Sequence, residues 1–194
     1  LVILVVRHRE AMEQVALHER RDPLTHALNR LGLFEEAVPL RALARRNQKP
    51  VAVLVLDVDY FRQLNEQFGH AVGDKVLRAL TAGLKEKLRE YDELCRWSGE
   101  VFVVLLMVEA EADAWLVAER LRGIAAAACH RDALLKVTVS GGLVMLPPEE
   151  KLEHGIGRAE EMLYAAKAAG RDRLVAGPDV PLPGVAPGPG SVEP

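Results

Sequence analysis

Apolar side chains follow one another without a break over 51–56, a run of strand length in which no alternation is visible. A strand covered on both faces is expected there, central in its sheet. Downstream the period changes. After Gly73-Asp74, the residues Leu77, Leu80, Leu84 and Leu88 recur at helical spacing while Lys75, Arg78, Lys85 and Lys87 take the outer face, which predicts a helix with one stripe packed inward. Upstream, Asp22 is the expected N-cap of a helix with Pro23 in its first turn. Its pattern continues through Leu33, Phe34 and Leu40 and ends at Gln48-Lys49-Pro50. Segments 93–97 and 101–108 read as two strands joined by a Ser98-Gly99 turn. An Ala-rich helix is expected over 110–128, a strand with Ser140-Gly141-Gly142 inside it over 136–146, and a last helix over 153–169 stopped by Gly170. The order helix, strand, helix, hairpin, helix, strand, helix predicts an α/β (α+β) domain, a mixed sheet with helices on its faces. The glycine pair in the strand predicts close backbone packing rather than a phosphate loop.

The same pattern divides the chain. Residues 1–21 hold a charged stretch with Met12, Val15 and Ala16 as a sparse apolar stripe. It suits an exposed linker helix from a missing upstream module, or a local capping helix. The compact domain is expected over 22–175. Residues 176–194 are dominated by Pro and Gly and should form a disordered tail. The chain opens at Leu1 rather than Met and reads as a piece of something longer; its apolar run 1–6 is far shorter than the ~20 residues of a membrane helix.

Composition removes several function classes. With 194 residues, 49% of them hydrophobic, one ordinary core can form, and a net charge of −3 with scattered Arg and Lys gives no bulk attraction to nucleic acid. Cys95 and Cys129 lack the spacing of a zinc site or disulfide framework and fit a cytoplasmic setting, including the cytoplasmic portion of a membrane-anchored protein.

The candidate chemistry gathers where 51–56 ends. Asp57 and Asp59 flank Val58 and point to one side of the strand, so a carboxylate pair stands where strand gives way to loop. A hard cation such as Mg²⁺ takes oxygen ligands and keeps phosphate and water in its shell, so one or two carboxylates beside a phosphate pocket suffice. The competing reading is a strand-end pair making turn hydrogen bonds. Glu100, beside the hairpin turn, favours the cation because an adjacent strand would bring it close to Asp57.

Several stretches together carry a resemblance: Asp22-Pro-Leu-Thr, Leu-Asp57-Val-Asp59-Tyr-Phe61-Arg62, Asn65 before Phe68-Gly-His-x-x-Gly-Asp74, Arg96-Trp-Ser98-Gly99-Glu100-Val101-Phe102, Val-Thr-Val-Ser140-x-Gly142, and Leu163-Tyr164-x-Ala-Lys167-x-x-Gly170-Arg171. In order and spacing, over nearly all of 22–175, they resemble the GGDEF domain of diguanylate cyclases. The resemblance implies the nucleotidyl-cyclase-like fold. It also implies a half-site on each domain, so that two GTP-loaded domains of a homodimer, paired by an upstream sensor module, make cyclic di-GMP with Mg²⁺ neutralising the developing charge. By this similarity Asp57, the Val58 carbonyl and Glu100 hold the metal, with Asp57 and Glu100 as the catalytic carboxylates. Asn65 and Asp74 read guanine. The amides of Tyr60 and Phe61, with Arg62, Ser98, Gly99, Lys167 and Arg171, surround the rest of GTP. Arg62 stands where Lys is more usual.

The signature itself departs from the family. Its first Gly is Ser98, a mild change, and its second acid is Val101, which removes negative charge from the metal neighbourhood while remaining a good strand residue. Arg89-Glu-Tyr-Asp92 falls at the family's RxxD product site, with Arg120 completing it. Arginine stacks on purines and forks onto phosphate or guanine, and a carboxylate accepts guanine N–H groups. Two functions follow from the resemblance: a degenerate domain that binds cyclic di-GMP at Arg89, Asp92 and Arg120 and GTP at the former active site, or an active diguanylate cyclase with product inhibition.

Overall fold

The computed structural model describes residues 19–133 and 137–183. Of the linker helix expected within 1–21, only the last three residues fall in that range. Among the described residues a five-stranded sheet runs in the order β2-β3-β1-β4-β5. Its strands are β1 (Val51–Val58), β2 (Glu93–Ser98), β3 (Val101–Met107), β4 (Val139–Met145) and β5 (Leu174–Ala176). All neighbours are antiparallel except β4 and β5, so the sheet is mixed as the pattern implied. Helices α1 (Arg30–Arg46), α2 (Phe61–Phe68), α3 (His70–Lys85), α4 (Ala114–Ala133) and α5 (Leu152–Ala168) complete it.

The unbroken apolar run of β1 has the predicted cause. The strand is central and all eight of its residues are buried. Leu54, Leu56 and Val58 pack with Leu77, Leu80 and Leu121 of α3 and α4, while Val53 and Val55 join Leu33, Leu40 and Ile156 of α1 and α5. Each fully buried side chain of this kind is worth roughly 1.5–3 kcal/mol, so both faces of β1 are fixed strongly in register. On β4, a Cβ at Gly142 would stand 2.0 Å from the Ala159 carbonyl oxygen. The glycine therefore lets α5 lie against the sheet, and α5 carries Lys167 toward the end of β1.

Four expectations shift. Asp22 does not cap a long helix: its Oδ1 accepts from the Thr25 amide and hydroxyl at 2.8 Å each, closing a tight turn, and α1 starts later under Asn29, which accepts from Gly32 N at 3.0 Å. Ser98 ends β2 and pairs with Val101, so the two-residue turn is Gly99-Glu100, with Gly99 at φ +37°. The helix expected after Gly73-Asp74 begins at His70, and the short α2 precedes it. The packed chain also continues beyond 175. Gly177 N donates to Leu143 O, Asp179 pairs with Arg158 at 2.8 Å, and Val180 is buried. The Pro-rich composition of the tail is thus outweighed locally by an ion pair and a core contact, while 184–194 lie outside the described residues.

Candidate functional site

At the end of β1 the two aspartates divide their work. Asp59 is buried, and its carboxylate is fully engaged. Ser140 Oγ donates to Oδ1 at 2.7 Å, while Thr138 Oγ1 at 2.7 Å and the Asp172 amide at 3.1 Å donate to Oδ2. Of the two aspartates, Asp59 thus follows the competing reading, a carboxylate spent on hydrogen bonds, and ties β1 to the start of β4 and to the turn after α5. Asp57 is different. Lys167 Nζ lies 2.6 Å from its Oδ2, while Oδ1 is buried with no partner. Burial raises the Asp57 pKa above the ordinary carboxylate value, Lys167 opposes the rise, and the charges of Glu100 and Asp59 add to it.

Glu100, half-buried in the Gly99-Glu100 turn, is thus near enough to Asp57 to be felt as charge. Val101 pairs directly with Asp57 across β1 and β3. Among the described residues no three acidic, His or Cys side chains converge as a metal cage. The residue types nevertheless suit a hard cation: an orphaned carboxylate oxygen on Asp57, the carbonyl of Val58 next in the chain, and Glu100 could supply oxygen ligands, with remaining positions for water and phosphate. Lys167 supplies positive charge at the same carboxylate.

The start of α2 adjoins this group. Tyr60 sits in the left-handed region at φ 56° and no side chain caps the helix, so the first-turn amides from Phe61 onward lack a side-chain acceptor. Such amides favour an anion. The Arg171 guanidinium lies 4.6 Å from the Tyr60 ring centroid, which brings a cation to the same edge. Arg62 is not brought in. Its side chain is 89% exposed and pairs with Glu66 at 2.9 Å, one turn along the outer face of α2. Asn65 turns inward, and its Oδ1 is buried without a partner. A Cβ at residue 73 would lie 2.0 Å from that oxygen, so Gly73 makes room for Asn65 one residue before Asp74. Ser98 and Gly99 are exposed at the hairpin tip.

A second group lies across the sheet. Arg89, Asp92, Glu109, Leu116, Val117 and Arg120 line a cavity of about 250 Å³. Asp92 is held by two backbone donors, Arg89 N at 2.9 Å and Met107 N at 3.2 Å, and burial raises its pKa. Arg89 stands 3.8 Å from Glu109, and Glu109 also pairs with Lys49. Arg120 is exposed on α4. The RxxD residues and Arg120 therefore share one cavity. Sequence reasoning missed Glu109, and it missed Thr138, Ser140 and Asp172 as the partners of Asp59. Thr138 and Ser140 stood in the Val-Thr-Val-Ser140 stretch of the resemblance and Asp172 followed Arg171, but nothing local to either stretch pointed to Asp59.

Comparisons with known proteins identify the family and the fold. The family model described as diguanylate cyclase, GGDEF domain, matches residues 19–173. The diguanylate cyclase DgcP of Pseudomonas aeruginosa is 40% identical over 169 residues, covering 86% of this chain and 25% of that protein. Response regulator PleD of Caulobacter vibrioides is 37% identical over 159 residues, covering 79% of this chain and 35% of that protein. The chain thus spans between a quarter and about a third of the length of these curated relatives. The crystal structure of the coiled coil and GGDEF domain of DgcB from Caulobacter crescentus, in complex with c-di-GMP, superposes with a TM-score of 0.80 at 28% identity, covering 91% of this chain and 95% of that one. On the family model matched over residues 19–173 and on these relatives, the chain belongs to the diguanylate cyclase GGDEF domain family.

Proposed function

We propose that this domain binds cyclic di-GMP at the Arg89, Asp92 and Arg120 cavity and GTP at the Asp57 end of the sheet, with turnover impaired by Val101. One observation carries the reading: three residues from the α3–β2 loop and α4, 89 to 120 in the chain, line a single cavity with two cations and a carboxylate. At about 250 Å³ it falls below the ~300–1,000 Å³ that encloses a drug-sized ligand, so the dinucleotide would lie partly over the surface, with the half-exposed Arg89 and the exposed Arg120 gripping it. Asp92, already fixed by two amides, keeps lone pairs for guanine N–H groups.

At the other site Asn65 and Asp74 offer guanine its polar partners, and the α2 amides, Lys167 and Arg171 offer phosphate its donors. Asp57, Val58 and Glu100 would hold Mg²⁺, which when bound neutralises charge on the phosphates. With Val101 in place of an acid, Asp57 and Glu100 remain as the two carboxylates.

The test is calorimetry on protein stripped of nucleotide. Cyclic di-GMP binding that weakens about 10- to 100-fold in Arg89→Ala, the loss expected for a charged hydrogen-bonding group, supports the reading. Absence of binding, or binding unchanged by the substitution, overturns it. The second reading, an active cyclase in a dimer brought together by an upstream module, is favoured by the orphaned Asp57 Oδ1. Incubation of a dimerised form with GTP and Mg²⁺ decides it, since no cyclic di-GMP product leaves only the binding role.

A further inference from the structure

The turn after α5 holds two consecutive non-glycine residues in the left-handed region, Arg171 at φ 62° and Asp172 at φ 46°. Such a pair is strained and persists only where the surroundings fix it. The Arg171 amide donates to the Ala166 carbonyl at 3.0 Å and its carbonyl accepts from Arg173 Nε at 2.9 Å, while two further contacts hold Asp172 from opposite sides. The Asp172 amide donates to Asp59 Oδ2 at 3.1 Å, and the Asp172 carboxylate accepts from Arg122 Nη1 at 2.8 Å. Arg122 is itself rigid. Its side chain is 13% exposed, its Nη1 also reaches the Val139 carbonyl at 2.9 Å, and its Nε and Nη2 fork onto Glu119 at 2.9 and 2.6 Å. A guanidinium with every edge committed is a fixed post rather than a mobile surface charge.

We infer that Arg122 is a positioning residue of the GTP site: by pinning Asp172 it sets the backbone of Arg171, whose guanidinium is thereby placed over Tyr60 at the uncapped start of α2. The inference rests on the proposed GTP reading and adds a residue to it. Arg122 reaches no group assigned to nucleotide, so its effect passes through the turn. Arg171 is the neighbour of Asp172, and rotation of this turn out of the left-handed region would swing Arg171 off the Tyr60 ring. The phosphate end of the ligand would feel the change, and the guanine end, held by Asn65 and Asp74 on α2 and α3, would not.

The test compares wild type, Arg122→Met and Arg171→Ala. Should Arg122→Met fold poorly, Asp172→Gly removes the same contact from the half-exposed side, and Asp172→Asn, which keeps an acceptor and tolerates the left-handed region, should rescue it. In ligand-free protein, amide hydrogen exchange at Asp172 is expected to speed up about tenfold or more on losing the Arg122 contact, with Leu54 and Leu105 in the sheet unchanged. By calorimetry GTP affinity falls about tenfold while guanosine affinity stays, and the double variant with Arg171→Ala binds GTP no worse than Arg171→Ala alone. Unchanged exchange at Asp172, equal losses for GTP and guanosine, or additive losses in the double variant would each overturn the inference. Failure of wild type to bind either ligand removes the GTP reading instead, and the exchange measurement then decides Arg122's hold on the turn by itself.

Discussion

Val101 stands directly opposite Asp57 in the antiparallel pairing of β3 with β1, as Ser140 does on the β4 side, so the residue read as replacing the second signature acid is a direct cross-strand neighbour of the buried aspartate. Directly paired residues project from the same face with Cβ atoms about 4.5–5.5 Å apart. A carboxylate at 101 would therefore face Asp57 closely, and it would be tolerable only with positive charge between the two. Valine removes that requirement. The site then rests with Lys167 on Asp57 and packs Val101 against the α1 and α5 side of the core.

Val101→Glu should make the domain depend on a cation. Without metal, the added like charge costs up to about 1 kcal/mol, and for a domain of this size the melting temperature falls by about 2–4 °C. Millimolar Mg²⁺ should recover most of that deficit, and turnover of GTP by a dimerised form should rise. Thermal melts in chelator and in Mg²⁺ make the comparison, and an equal deficit in both would show that 101 lies outside the reach of any bound cation.

Lys167→Met takes the opposite partner away. Asp57 would keep its burial but lose its one ion pair, leaving both oxygens unsatisfied, at a cost of about 2 kcal/mol in metal-free buffer. Because burial already raises its pKa, the variant relieves the strain by taking up a proton. Its deficit therefore grows with rising pH and shrinks on acidification. Urea unfolding at two pH values measures this, and a pH-independent deficit would mean that Lys167 acts through packing of its methylene chain instead.

These relationships explain which parts of the fold were legible beforehand. The core strand was, because six apolar residues in a row admit few other fates, and the spacing of Leu77, Leu80 and Leu84 gave a helix for the same reason. The start of α1 was not. Asp22 has the chemistry of an N-cap, but its carboxylate is shared between Thr25 and Arg96, a partner 74 positions away that no local pattern reveals. Helix α2, with eight residues, is too short to show a period, and β5, with three, owes its existence to pairing with β4 rather than to propensity. Within the site, Asp57 and Asp59 look alike in sequence. Their separation into one open and one saturated carboxylate depends on Thr138 and Ser140, 79 and 81 positions downstream.

Glu109 is expected to set the affinity of the RxxD cavity. It lies beside Arg89 and shares the cavity wall, so an incoming phosphate must displace a carboxylate from the arginine it needs. Both side chains are more than half exposed, so the pair adds little to the stability of the fold and is weakened by salt. Glu109→Gln should tighten cyclic di-GMP binding about two- to fivefold in low salt and by less in high salt, where the contact is screened. Calorimetry at two ionic strengths tests it, and weaker binding in the variant would mean that Glu109 contacts the ligand favourably.

Glu93, next to Asp92 in the chain, gives the fold a pH dependence of defined sign. Burial, reinforced by Glu36 on α1 and by Asp92 and opposed by Arg21, pushes its carboxyl from 4.5 up to about 7. The folded state thus holds the proton more tightly than the unfolded chain. Stability from this group is fully present below 4.5, declines as the pH rises, and is lost above 7. Partial exposure to water reduces the effect, leaving about 1 kcal/mol. Glu93→Gln should match wild type at pH 4.5 and exceed it by about that amount at pH 8, because a neutral side chain replaces a charge held between two other acids. Urea unfolding at the two pH values reads the difference directly. A variant less stable than wild type at pH 8 would show that the attraction of Arg21 outweighs the burial of the carboxylate.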